Sequence, residues 1–231
     1  MRKLSPAAKV RARKEAEKQK STITGSTRTD LNVKQQMLAM LYEHKRTLKQ
    51  IQSKVMKGTQ KAKLLPDYWP YVQGVLKADS GQPDEVITTI CMWCIDAKMI
   101  DEALMLAAYI LKHDLTLPEA FQRTTNVAIA EEIAELALKE DSPVTPEHLT
   151  ALYELVGDTD MPDQVRVKLE KAVGLGLKDI APEVALKHLK AALAINDRAG
   201  VKPDVKALEK QIAEASAQKD ENSASGDTPE A

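Results

Sequence analysis

Aromatic side chains are scarce in this sequence, with one Phe, two Trp and five Tyr among 231 residues. Sandwiches and barrels lean on aromatic and β-branched residues to fill their pleated faces, so this scarcity, beside abundant Ala, Leu, Lys and Glu, points to packed helices. Cysteine is nearly missing as well. Cys91 and Cys94 stand alone, too few for the disulfide framework of a small secreted domain, and at i, i+3 in a helical stretch they suit two buried, reduced thiols. Their CxxC spacing is also half of a zinc site, but there is no second CxxC, and His44, His113, His148 and His188 are scattered singly. A redox pair would follow a strand and open a helix, whereas this pair lies mid-helix among apolar residues. The longest apolar run, Ala103 to Leu111, is nine residues, against about 20 for a helix that crosses a bilayer. Basic residues near the N-terminus have no apolar segment behind them, so no secretory signal is expected. The chain also lacks GxxxxGK[ST], and GLGL at Gly174 to Leu177 has no strand before it, so ATP hydrolysis is expected to belong to another chain. These absences describe a soluble, intracellular, non-secreted protein with no membrane partner.

What is present is a strong division of charge. The formal net charge is -1, yet residues 1 to 63 carry 17 Lys and Arg against four acids, and the remainder carries 16 against 30. One electrostatic half is strongly basic and the other strongly acidic, the asymmetry expected of a chain that engages a polyanion with one end. The plainer alternative is a solvated helix face joined to a basic tail.

Five segments follow along the chain. Residues 1 to 30 form a basic arm, expected to be disordered, that includes Arg11, Arg13 and Lys14 and ends in the hinge-like STITGSTRTD. Asp30 is a suitable cap for a long helix from Leu31 to Lys57, closed by Gly58, so that residues 31 to 63 form a basic DNA-binding and oligomerisation segment. In it Met37, Leu41, His44, Leu48, Ile51 and Val55 recur at spacings of four and three, the seam of a coiled coil or of a long amphipathic helix. His44 occupies a knob position, either as a register device or as a half-exposed residue without that role. Residues 64 to 160 read as a helical core of short helices punctuated by Pro and Gly. Residues 161 to 215 read as a helical hairpin followed by a third helix, similar in pattern to tetratricopeptide units. Residues 216 to 231 read as a disordered acidic tail. The fold class is therefore all-α.

The residues also carry a family likeness. LKQIQSKVMKGTQKAKLLPDYWPYVQGVL, then DEVITTICMWCIDAKMIDEALMLAAYILKHDLTLPEAFQRTTNVAIAEEIAELAL, then DMPDQVRVKLEKAVGLGLKD and LKHLKAALAINDRAGVKPDVKALEKQI, in that order from about Leu31 to Ile212, resemble the small terminase subunit of P2-like tailed phages. Cys91 and Cys94 depart from the pattern. The resemblance implies viral DNA packaging in the host cytoplasm: binding to the cohesive-end region of concatemeric double-stranded phage DNA, homo-oligomerisation as a ring, and delivery of the DNA to an ATP-driven large terminase subunit. It also implies the name terminase endonuclease subunit.

A metal-dependent nuclease needs carboxylates converging on one or two divalent ions. Asp96, Glu131 and Glu132 are the weak candidates, because they lie in otherwise apolar helices; Asp84 with Glu85 and Asp101 with Glu102 read as partners of helix dipoles. Paired acids on helices are more often solvated or bridged to Lys and Arg. No cofactor is expected unless the nuclease reading holds, in which case Mg²⁺ is. The binding reading rests on Lys45, Arg46, Lys49, Lys54, Lys57, Lys61 and Lys63, which would neutralise phosphates, with Gln50, Gln52 and Gln60 interleaved for base edges. Tyr68, Trp69 and Tyr71 read as packing rather than a stacking platform. A helical adaptor for protein partners is the third reading.

Overall fold

Lys57 does not end the first long helix. In the computed structural model, which describes residues 28–117 and 123–224, with side chains for 33–217 within these, the first helix α1 runs Arg28–Lys49 and a second, α2, runs Lys54–Leu64. Asp30 lies inside α1 rather than capping it. The break falls at Gln50 to Ser53, where Ser53 takes an extended backbone and its side chain accepts from the Met56 amide at 3.3 Å, a new N-cap. Gly58 is buried in the middle of α2. A Cβ there would come within 2.6 Å of the Asp96 carbonyl oxygen, so the glycine serves a close helix crossing and not a helix end. The described residues form two compact units, one ending at Gln50 and the other beginning at Ile51. The arm residues Arg11, Arg13 and Lys14 lie outside the described residues.

In the second unit a 3-10 turn, Leu65–Tyr68, leads into α3, Trp69–Ala78, and the Pro66 and Pro70 rings occupy early helix positions where no amide hydrogen is needed. There follow α4, Glu85–Asp96; α5, Ile100–Lys112; α6, Thr125–Ala137; α7, Pro146–Val156; α8, Asp163–Leu177; α9, Pro182–Ile195; and α10, Lys202–Ala224. No strand occurs among the described residues. Helix α4 is buried on every side from Val86 to Ile95 and packs against α2, α5 and α6, which makes it the central element. Its start is fixed by Asp84, whose side chain accepts from the amides of Val86 and Ile87 at 2.9 and 3.3 Å. Asp84 is therefore a cap rather than a first-turn dipole partner.

Beyond this core, α8 packs on α6, α7 and α9, and α9 on α10. The expected hairpin is present as α8 and α9, joined by Lys178 to Ala181. A hairpin of this kind does not by itself make a tetratricopeptide unit. The GLGL run explains the tight packing. A Cβ on Gly174 would meet Leu189 Cδ2 at 2.4 Å and one on Gly176 would meet Leu149 Cδ1 at 2.3 Å, so the two glycines let α9 and α7 close onto α8. Helix α10 continues to Ala224, so residues 216 to 224 are helical where a disordered tail is expected, and residues 225–231 lie outside the described set.

Candidate nucleic-acid interface

Helix α1 carries three of the expected DNA-binding residues at its C-terminal end, where cations also complement the helix dipole. Lys45 lies 5.9 Å from the centre of the Tyr42 ring, Arg46 donates to Glu43 at 2.6 Å across an exposed i, i+3 pair, and Lys49 is exposed. The Arg46 pair adds little to stability and leaves the guanidinium at the surface. On the same helix Leu41 and Leu48 are buried and Met37 and His44 half-buried. The six seam positions do not share one helix. Ile51 lies in the break and Val55 opens α2, where it is 79% exposed and adjoined by exposed Met56.

Helix α2 carries the other four. Lys54 and Lys63 are exposed and Lys57 half-buried, and the spacing of Lys54, Lys57 and Lys61 places them along one side of the helix. No acid lies in the first turn of α2. Lys61 differs from its neighbours: its ammonium makes an ion pair with Asp96 and sits 5.8 Å from the centre of the Trp93 ring. Tyr68 meets that same indole edge-on at 6.0 Å, and the Tyr71 hydroxyl donates to Asp84 at 2.5 Å, which places both tyrosines in packing roles.

The three candidate catalytic acids do not converge on a metal-binding group. Glu131 is held by Arg123 and, at 2.8 Å, by Lys168 of α8, which also pairs with Glu135. Asp96 is held by Lys61. Glu132 differs from its neighbour Glu131: although much of its side chain reaches solvent, the atoms packed around its carboxyl, and then the negative charges of Asp96 and Glu135, push its pKa above the ordinary glutamate range. Among the described residues no group of three or more His, Cys, Asp and Glu is placed to hold a metal ion. Cys91 and Cys94 are free and buried, with the Cys91 thiol 3.5 Å from the Ala103 carbonyl. Burial pushes both thiols up, Cys94 to about 12.

A polar cluster in the C-terminal half carries no signal in the sequence. Tyr153 of α7 donates to the buried Glu170 of α8 at 3.1 Å, and His188 of α9 lies 2.7 Å from the other carboxylate oxygen. Arg166 donates to the carbonyls of Gly157 and Thr159 at 2.6 Å each, closing the α7–α8 turn. The cluster joins three helices around buried Glu170 and His188, with Tyr153 and Arg166 half-buried at its edge, a structural role.

The family model of the phage small terminase subunit matches residues 38–164. A relative from Escherichia phage P2, named the endonuclease subunit of terminase, is 39% identical over 184 residues, which cover 78% of this chain and 74% of the relative. The chain belongs to the phage small terminase subunit family. No solved structure matches it. Membership supports a role in a phage DNA-packaging terminase, and the match spans α2, the central helix α4 and the helices packed on it. No helix among the described residues is long and apolar enough to cross a membrane.

Proposed function

We propose that this small terminase subunit is the DNA-recognition and assembly component of its packaging machine. It binds double-stranded phage DNA at the cohesive-end region through its basic N-terminal quarter, self-associates as a homo-oligomeric ring, and presents the DNA to an ATP-driven large subunit. The observation that carries the reading is the run of cations on α2, exposed Lys54 and Lys63 with half-buried Lys57 between them, within a 63-residue segment that holds 17 Lys and Arg against four acids. Lys45, Arg46 and Lys49 on α1 add to the same basic segment. Phosphate neutralisation by such residues supplies affinity, and the exposed Gln50 and Gln52 supply groups able to reach base edges. Exposed Val55 and Met56 offer apolar surface for self-association.

A second reading, that the subunit itself cuts the cohesive-end site with Mg²⁺, is favoured by the name of the relative from phage P2. The ion pairs that engage Asp96 and Glu131 support binding over hydrolysis. Full-length protein incubated with cohesive-end DNA and Mg²⁺, without the large subunit, decides between the two. Shifted but intact DNA supports the recognition reading. Cutting that is lost in Glu132→Gln would establish the nuclease.

A further inference from the structure

Asp96 stands against the cations of α2. Lys61 is only 15% exposed in its side chain, while its partner Asp96 is 48% exposed, so the pair lies at the edge of the protein with its carboxylate open to solvent. The backbone fixes this arrangement. Gly58, one turn before Lys61, lets α2 rest against the carbonyl of Asp96 at the end of α4, and α4 has no basic residue in its own last turn. Lys61 supplies that missing cation from the neighbouring helix, facing both the carboxylate and the negative end of the helix dipole. The Trp93 ring centre lies 5.8 Å from the same ammonium. Exposed pairs contribute little to folding, and a carboxylate beside a phosphate-binding helix repels the polyanion.

We propose that Asp96 is a built-in counter-anion for α2, holding Lys61 in the unbound chain and releasing it to a backbone phosphate of bound duplex DNA. The inference rests on the DNA-binding reading of α2 and adds a control to it. Asp96 imitates the phosphate: it keeps the lysine in place while the site is empty and lowers affinity for any duplex that does not seat α2 closely enough to displace it. Lys54 and Lys57, on the same side of the helix, make the first contacts, and Lys61 follows. Glu132, whose carboxyl lies within electrostatic reach of both Asp96 and Lys54, adds to the negative field that the duplex must overcome.

The test uses the full-length chain, a short random-sequence duplex and fluorescence anisotropy at several salt concentrations, with circular dichroism to confirm folding. Asp96→Asn is expected to bind the duplex tighter than wild type by about twofold to fivefold, the strength of an exposed ion pair. Lys61→Gln is expected to lower the ratio of affinities at 50 and 200 mM salt by about 3.5-fold, the loss of one phosphate contact. In the Lys61→Gln background, Asp96→Asn should give a smaller gain than in wild type. Weaker or unchanged binding by folded Asp96→Asn overturns the proposal. So does an unchanged salt ratio in Lys61→Gln, a readout that does not depend on Asp96→Asn folding. If Lys57→Gln and Lys63→Gln also leave binding and its salt dependence unaltered, the DNA-binding reading of α2 falls with it; if those two weaken binding while the Asp96 and Lys61 variants behave as wild type, only the counter-anion fails.

Discussion

His188 Nδ1 lies 2.7 Å from Glu170 Oε2, and both side chains are buried between α8 and α9. The Tyr153 ring meets the imidazole edge-on at 4.6 Å while its hydroxyl donates to the other oxygen of Glu170. Removing one partner leaves the other buried without its hydrogen bond. Glu170→Ala is therefore expected to destabilise the chain by about 3 kcal/mol or more, read as a fall in the denaturation midpoint at an unchanged denaturant slope. A loss below about 1 kcal/mol would mean that water replaces the carboxylate at little cost.

Gly58→Ala sets two effects against each other. Alanine favours the interior of an exposed helix by about 1 kcal/mol over glycine. Here the new Cβ would lie 2.6 Å from the backbone oxygen of Asp96, which cannot swing aside as a side chain could. Overpacking of this kind costs about 1–3 kcal/mol, so the expected outcome of thermal denaturation is a lower Tm. A higher Tm would show that α2 is not held against α4.

The thiols give a chemical check on the core. Cys91 and Cys94 are buried in α4, and burial raises both above the range in which thiolate forms near neutral pH. Native protein at pH 8 is expected to leave both unmodified by a thiol-alkylating reagent, whereas unfolded protein takes up two labels by mass spectrometry. Rapid labelling of the native chain would contradict the central placement of α4.

Glu132 sets a pH dependence. Its pKa is higher in the folded chain than in the unfolded one, first because packing removes solvent from the carboxyl and then because Asp96 repels its charge. Between those two values the folded state binds more protons, so this group lowers stability as pH rises through that window and its cost is fully present above the folded value. Glu132→Gln is expected to raise the Tm at pH 7, with the gain shrinking as pH falls toward the ordinary glutamate range and vanishing below it. A gain that persists unchanged at acid pH would point to a cause other than ionisation.

The sequence was most legible where one helix decides its own fate. The apolar run through Val86 to Ile95 marks a buried helix, and few aromatics with much Ala and Leu mark the all-α class. Legibility failed where a distant contact overrides a local signal. Gly58 looks like a helix terminator, but its reason is the Asp96 carbonyl on another helix; the true break, Gln50 to Ser53, contains neither Gly nor Pro and is marked only by the Ser53 cap. The same holds for the site residues. The cations of α2 are evident from charge alone, while the pairing of Lys61 with Asp96, 35 positions apart, and the division of Glu131 from Glu132 follow from the packing of α2 and α8 on the core.

The central claim is that duplex DNA is bound by the basic N-terminal quarter, with the α2 lysines in contact with phosphate. The most direct measurement is the slope of log affinity against log salt for full-length wild type and for the full-length Lys54→Gln, Lys57→Gln, Lys63→Gln triple variant, on the same duplex. The account predicts a slope shallower by about 0.9 for each phosphate contact removed, close to 3 in all. A triple variant that binds with wild-type affinity and wild-type slope would contradict it and take phosphate contact away from α2.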